Sequence, residues 1–125
     1  MPRPDRRAAG TAAEDAALAH LQAAGLRLLG RNVRYKVGEL DLVMHDGETT
    51  VFVEVRLRNA VAWGDGFDSV DRRKRRKLAR AAQCWLLDHP ALAEAPCRFD
   101  VVSLRSEDGV WRLEWERGAF SLMDL

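Results

Sequence analysis

Two alternating runs on either side of Asp46-Gly47 constrain this chain more than any other segment. In the first, Glu39, Asp41 and Val43 alternate with Leu40, Leu42 and Met44. In the second, Thr50, Phe52, Glu54, Arg56 and Arg58 alternate with Val51, Val53, Val55 and Leu57. Alternation with a period of two around an Asp-Gly pair predicts a β-hairpin. With Asp46-Gly47 as its turn, His45 pairs with Glu48, Asp41 falls opposite Phe52, and Glu39 falls opposite Glu54. One face then carries Glu39, Asp41, Glu54, Arg56 and Arg58. The other, apolar from Leu40 to Leu57, packs the core, which fixes the register. Asp41 and Glu54 become diagonal neighbours, roughly 7–8 Å apart at the backbone and able to converge on one ion. Glu39 opposite Glu54 is repulsive unless a cation or an arginine neutralises it.

The hairpin is expected within an ordinary α/β domain. At 125 residues the chain is long enough for one core and no more. Residues 1–10 read as a disordered basic tail, and 11–125 as one domain. No apolar run approaches the roughly eighteen residues a membrane span needs. The start, Met1-Pro2-Arg3-Pro4-Asp5-Arg6-Arg7, has no apolar stretch of the kind that opens a secretory signal. Cys84 and Cys97 make no metal-binding or redox motif and are expected free and buried. The expected location is the cytoplasm.

From Thr11 to Ala24 the Ala-rich run favours helix, and Gly25 ends it. Ala17, Leu18 and Leu21 form its apolar stripe, with Glu14 near the middle of that stripe. Two explanations stand for that acid. It complements the helix dipole from the first turn, or it is buried because a cation pairs with it. A first strand follows over Leu26–Tyr35, interrupted at Gly30-Arg31-Asn32. Beyond the hairpin, residues 59–69 read as a loop in which Trp63 and Phe67 are candidate stacking residues.

A second helix is expected from Val70 to Asp88, buried along Leu78, Ala81, Ala82, Trp85 and Leu86. Its first half is Arg72-Arg73-Lys74-Arg75-Arg76-Lys77, with Arg80 beyond, in a chain whose net charge is only +1. A dense local patch matters more for phosphate contact than net charge does. A solvated helix face is the alternative. Arg72, Arg73, Arg76 and Arg80 project outward at helical spacing, whereas Lys74, four residues before Leu78, faces the sheet. Two further strands are expected over Arg98–Arg105 and Val110–Glu116, with Trp111 and Trp115 covering the core.

An Asp and a Glu on adjacent strands, with a cation two residues after the Glu, suit phosphodiester hydrolysis. Carboxylate oxygens bind Mg²⁺ or Mn²⁺, and such an ion stabilises phosphoryl charge and acidifies a bound water. The pattern of Asp41, then Glu54-Val55-Arg56, resembles the PD-(D/E)XK nuclease core. More closely, the chain resembles the YraN family of small bacterial endonuclease-like proteins. That likeness rests on Glu14, Arg31-Asn32, Gly38-Glu39-Leu40-Asp41-Leu42, Val51-Phe52-Val53-Glu54-Val55-Arg56, Arg58, Lys74, Lys77, Leu78 and Arg98-Phe99-Asp100-Val101-Val102. It implies a restriction-endonuclease-like α/β fold, a central mixed β-sheet flanked by helices. It also implies an acidic metal site of Glu14, Asp41 and Glu54 taking Mg²⁺ or Mn²⁺, with Arg56 in the lysine slot. Lys74, facing the sheet from the second helix, supplies a further cation, so the expected catalytic residues are Asp41, Glu54, Arg56 and Lys74.

One position departs from the nuclease pattern: Arg56 stands where a lysine is usual. Arginine stays charged and cannot serve as a base, although it can clamp a phosphate. Three readings follow: a metal-dependent nuclease acting on structured DNA, a nuclease-derived module that binds without cutting, and an adaptor whose charges form a structural network. Nucleic acid, DNA first, is the expected partner, through Arg58, Arg72, Arg73, Arg75, Arg76, Lys77 and Arg80. No membrane partner is expected, and a homodimer would serve two-strand cutting.

Overall fold

The computed structural model describes residues 6–58 and 71–121. The loop containing Trp63 and Phe67, and the first five residues of the expected tail, lie outside them. Helix α1 (Arg6–Ala23) begins five residues before the expected Thr11, so the part of the tail from Arg6 onward is helical. Ala8 and Ala9 carry the Ala-rich run across Gly10, whose cost of about 1 kcal/mol weakens a helix without ending it. Its C-terminus is a Schellman motif. The Leu26 N–H donates to the Leu21 carbonyl at 3.1 Å and the Gly25 N–H to that of Gln22 at 3.0 Å. Gly25 takes the φ of +99° that this ending requires.

Strands β1 (Arg27–Tyr35), β2 (Gly38–Asp46) and β3 (Thr49–Leu57) form an antiparallel meander. Helix α2 (Arg72–Asp88) and a short 3₁₀ turn at Pro90–Leu92 lead to β4 (Cys97–Glu107), which lies parallel to β3. Strand β5 (Val110–Phe120) returns antiparallel to β4, so the five-stranded sheet runs β1-β2-β3-β4-β5. The fold is the expected α/β one, a mixed sheet flanked by helices.

Each face of the sheet is closed by one helix. On one side Ala13, Ala17 and Leu21 of α1 pack on Leu42, Met44, Val51, Val53, Val102 and Leu104. On the other, Leu78, Ala81, Ala82 and Trp85 of α2 pack on Leu40, Val43, Phe52 and Phe99. Both faces of the hairpin are therefore core, correcting the expectation of one polar and one apolar face. Each large side chain buried this way contributes roughly 1.5–3 kcal/mol.

The turn is also displaced. Asp46 pairs with Thr49 and His45 with Thr50, so the two-residue loop is Gly47-Glu48 rather than Asp46-Gly47. Gly47, with φ +61°, takes the first central position, where a type II′ turn needs glycine. The expected register placed it second, as in a type I′ turn. The β4–β5 hairpin does use its pair that way: Asp108 (φ 51°) and Gly109 (φ 76°) link Glu107 to Val110. A shift of two residues preserves which face each β3 side chain occupies, but it brings Asp41 level with Glu54 instead of diagonal to it.

Strand β2 changes face at Asp41. Leu40 belongs to the α2 side, whereas Leu42 and Met44 belong to the α1 side. Strict alternation would put all three together. Across the ladder, Arg31 pairs with Leu42 and Val33 with Leu40, leaving Asn32 beside Asp41. Asn32 has φ +52°, a left-handed conformation that asparagine tolerates better than most residues. The reversal is therefore built into both strands at one level.

A candidate acidic site at the sheet's change of face

Where β2 reverses, the Asp41 side chain substitutes for its backbone: Oδ2 accepts a hydrogen bond from the Val55 N–H of β3 at 2.8 Å. This bond holds the carboxyl beside Glu54, which is 5% exposed. Burial pushes the Asp41 pKa up to about 8, and the neighbouring Glu54 charge raises it as well. The Val55 N–H opposes the shift, while a hydrogen bond with the Glu54 carboxyl and the charge of Glu14 add to it. Two carboxyls this close cannot both ionise freely, so the pair holds a proton near neutral pH unless another positive charge arrives.

One positive charge already touches the pair. Lys74 Nζ lies 2.5 Å from Glu54 Oε1. The sequence-based expectation that Lys74 faces the sheet is met, and the start of α2 explains how. Asp71 caps the helix, its Oδ1 accepting from the Lys74 N–H at 2.8 Å. Gly38 brings the helix close, since a Cβ there would stand 2.7 Å from the Lys77 carbonyl oxygen. Only glycine lets α2 lie this near β2.

Glu14 is placed differently. Its Oε1 accepts from Arg31 Nε at 2.6 Å, and Arg31 also bonds Asp15 at 2.6 Å. Partial burial with a paired cation is thus its observed state. Among the described residues, no three His, Cys, Asp or Glu side chains are gathered closely enough to hold a metal. The expected acidic trio is a pair, Asp41 and Glu54, with Glu14 across an adjoining cleft. That cleft, of about 530 Å³, is lined by Glu14, Asn32, Arg34, Asp41, Val55 and Leu57 among others. A second opening on the α2 side is lined by Glu39, Asp41, Glu54, Lys74 and Lys77. Asp41 borders both.

Arg56 follows Glu54 by two residues on β3, is half-buried, and engages other groups. Arg58 is likewise half-buried and engaged, its backbone N–H donating to the Leu104 carbonyl at 2.7 Å. Glu39 is exposed and faces Arg34 at 3.6 Å rather than Glu54. On α2, Arg72, Arg73, Arg76, Lys77 and Arg80 are exposed. Arg75 is not part of that outward row: it is half-buried with its guanidinium 5.3 Å from the Phe120 ring centre.

Two features were not assigned from sequence. Arg31 stood in the motif without a role, and its partners lie 16 and 17 residues away on a helix. Asp100, fully buried, accepts from Arg98 Nε at 3.0 Å, Trp115 Nε1 at 2.9 Å and the Gly118 N–H at 2.9 Å. Arg98 also reaches Asp46 at 3.0 Å, so this network ties β4 and β5 to the hairpin turn. Cys84 and Cys97 are free and half-buried, not buried as expected. No helix among the described residues is long and apolar enough to cross a membrane.

Comparison with known proteins agrees on one grouping. The model of the uncharacterised protein family UPF0102 matches residues 13–104. A UPF0102 protein of Xanthomonas campestris pv. campestris is 56% identical over 119 residues, covering 95% of this chain and 96% of its own. One from Xylella fastidiosa is 54% identical over 123 residues, covering 96% and 98%. One from Stutzerimonas stutzeri is 51% identical over 116 residues, covering 93% and 97%. The matched span contains Glu14, Asp41, Glu54, Arg56, Lys74 and Asp100. The chain belongs to the UPF0102 family, the YraN family that its sequence resembles.

Proposed function

We propose that this protein is a metal-dependent nuclease-type protein that binds structured DNA and hydrolyses its phosphodiesters at Asp41 and Glu54. The observation that carries the reading is the placement of these two carboxyls together with Lys74 against Glu54, where burial beside Glu54 also pushes the Asp41 pKa up to about 8. Mg²⁺ or Mn²⁺ suits that place: the donors are hard oxygens, and a divalent charge would replace the shared proton. Asp41 and Glu54 would hold the ion, with Glu14 sharing the α1-side cleft with Asp41 alone of the two. When bound, such an ion stabilises charge on a phosphoryl group and lowers the pKa of a coordinated water.

The chain's own residues do the rest. Val55 fixes the Asp41 carboxyl through its N–H, and Lys74 fixes Glu54. Lys74 and Lys77 border the α2-side opening, where a phosphate oxygen would meet them. The first turn of α2 carries Arg72, Arg73 and Lys74 and no acid. Cations there oppose the helix dipole, and a bound phosphate would relieve the conflict. Arg56 supplies a permanent charge for orienting phosphate and does not accept a proton. A homodimer would present one such site to each strand of a duplex.

A second reading, binding without cutting, draws on a specific observation. Both Glu14 and Glu54 are already paired with cations of the chain itself, Arg31 and Lys74. A cleavage screen with Mg²⁺ and Mn²⁺ on branched and linear DNA, with Glu54→Ala as control, separates the two. Cleavage that Glu54→Ala abolishes while binding persists supports the nuclease. Salt-sensitive binding with no cleavage on any substrate supports the binding module.

A further inference from the structure

The two openings that share Asp41 differ in the basic surface beside them. The α2-side opening has Lys74 and Lys77 beside Glu39 and Glu54 and shares both lysines with a groove that holds Asp71 and Arg73, next to the exposed Arg72, Arg76 and Arg80 of the same helix. Among the described residues the α1-side cleft has one cation, Arg34, and is otherwise lined by two acids, Glu14 and Asp41, hydrogen-bonding side chains and apolar surface. The exposed basic row of α2 favours a phosphate on the first side, whereas on the second Arg34 is the cation that lines the cleft and Glu14 is held by Arg31. The α1-side cleft, about 530 Å³, is nevertheless of the size that encloses a small ligand.

We infer that the α1-side cleft receives one unpaired nucleoside of a DNA strand whose phosphates run along α2, so that the protein selects DNA containing unpaired nucleotides over fully paired duplex. This inference rests on the nucleic-acid reading given above and names its substrate class. Leu57, 45% exposed, offers apolar surface to the face of a base. Asn32 and Thr11 line the cleft with an amide and a hydroxyl, groups that pair with base edges. Glu14 presents acceptor oxygens, and an exocyclic amine is the donor that a base or nucleoside brings. A paired nucleotide has its Watson–Crick edge occupied and is stacked on both faces, so it would have to be flipped out first, at a cost of a few kcal/mol. Asn32 is left-handed, at φ +52°, which aims its amide from a position that ordinary strand alternation would not give.

The test is fluorescence anisotropy at one salt concentration, without divalent metal, using the full chain. Three labelled DNAs are compared: a single strand, a dumbbell duplex with every base paired in its stem and tightly closed ends, and the same dumbbell with one unpaired nucleotide in the stem. The expected result is at least about tenfold tighter binding of the single strand and the bulged dumbbell than of the paired one. Asn32→Gly keeps the left-handed backbone and removes the amide, and Leu57→Ser removes the apolar contact. Each should reduce that preference several-fold while leaving the paired dumbbell unaffected, whereas Arg73→Ala should weaken all three DNAs alike. Equal binding of all three DNAs, no binding to any, or a preference unchanged in both cleft variants overturns the inference. A cleft-dependent preference without cleavage would leave the inference standing and remove only the hydrolytic reading. Metal-dependent cleavage without that preference would do the reverse.

Discussion

Lys74 reaches from the first turn of α2 to within 2.5 Å of Glu54 on β3, joining a half-exposed cation to a carboxylate that is almost wholly buried. The pair fixes where the helix meets the sheet as well as the charge of the site. Lys74→Ala leaves Glu54 buried without its cation and is expected to cost about 1–2 kcal/mol, reduced from the value for a fully buried pair because Lys74 is solvated. Lys74→Arg should recover part of it. Urea unfolding of the three proteins measures this.

Asp41 gives the site a pH dependence. Its folded pKa, about 8, lies above the ordinary 3.8, so the folded state binds the proton more tightly than the unfolded one. The stability this contributes is fully present below about pH 4 and is lost as pH rises through 8. Asp41→Asn removes the titration, and its side-chain oxygen can still accept from Val55. At pH 8.5 the variant should be more stable than the parent by roughly 1–3 kcal/mol, with the two converging toward pH 4. Thermal unfolding across that range shows it. Mg²⁺ should raise the parent's melting temperature more at pH 8 than at pH 5.

Gly38→Ala tests the close approach of α2. The added Cβ would sit 2.7 Å from the Lys77 carbonyl oxygen and 3.2 Å from its carbon, both backbone atoms. The helix must move, at an expected cost of about 1–3 kcal/mol. Lys77 lies one turn beyond Lys74, so the same displacement should loosen the Lys74–Glu54 contact. Denaturation of Gly38→Ala alone and combined with Lys74→Ala gives the coupling, which is expected to be less than additive.

These positions differ in how far sequence reaches them. Lys74 could be placed because helical spacing from Leu78 fixes which way it faces. Glu54 and Arg56 could be placed because β3 alternates without interruption. Asp41 could be named but not located: the reversal of β2 depends on Asn32 being left-handed, and a run of alternating letters carries no record of that. The Asp46-Gly47 pair misled for a related reason, since glycine serves at either central position of a hairpin turn and each choice sets a different register. Arg31 and Asp100 depend on partners brought together only by packing, α1 for one and the far end of β5 for the other.

Asp100 illustrates that last point and carries its own prediction. Asp100→Ala strands the donors of Arg98, Trp115 and Gly118 inside the protein. The expected loss is about 3–5 kcal/mol, as for a broken buried ion pair. Near-ultraviolet circular dichroism should change with it, because the Trp115 indole loses its acceptor.

The central claim, that Asp41 and Glu54 form a hydrolytic site, is tested most directly by single-turnover cleavage of a labelled branched DNA in Mg²⁺ or Mn²⁺. Parent and Glu54→Gln proteins are compared at concentrations that bind the DNA equally. Metal-dependent strand cleavage by the parent is expected, with a loss of at least about a hundredfold in Glu54→Gln while binding is retained. Bound DNA that stays intact with the parent, or is cut equally by both proteins, would contradict it.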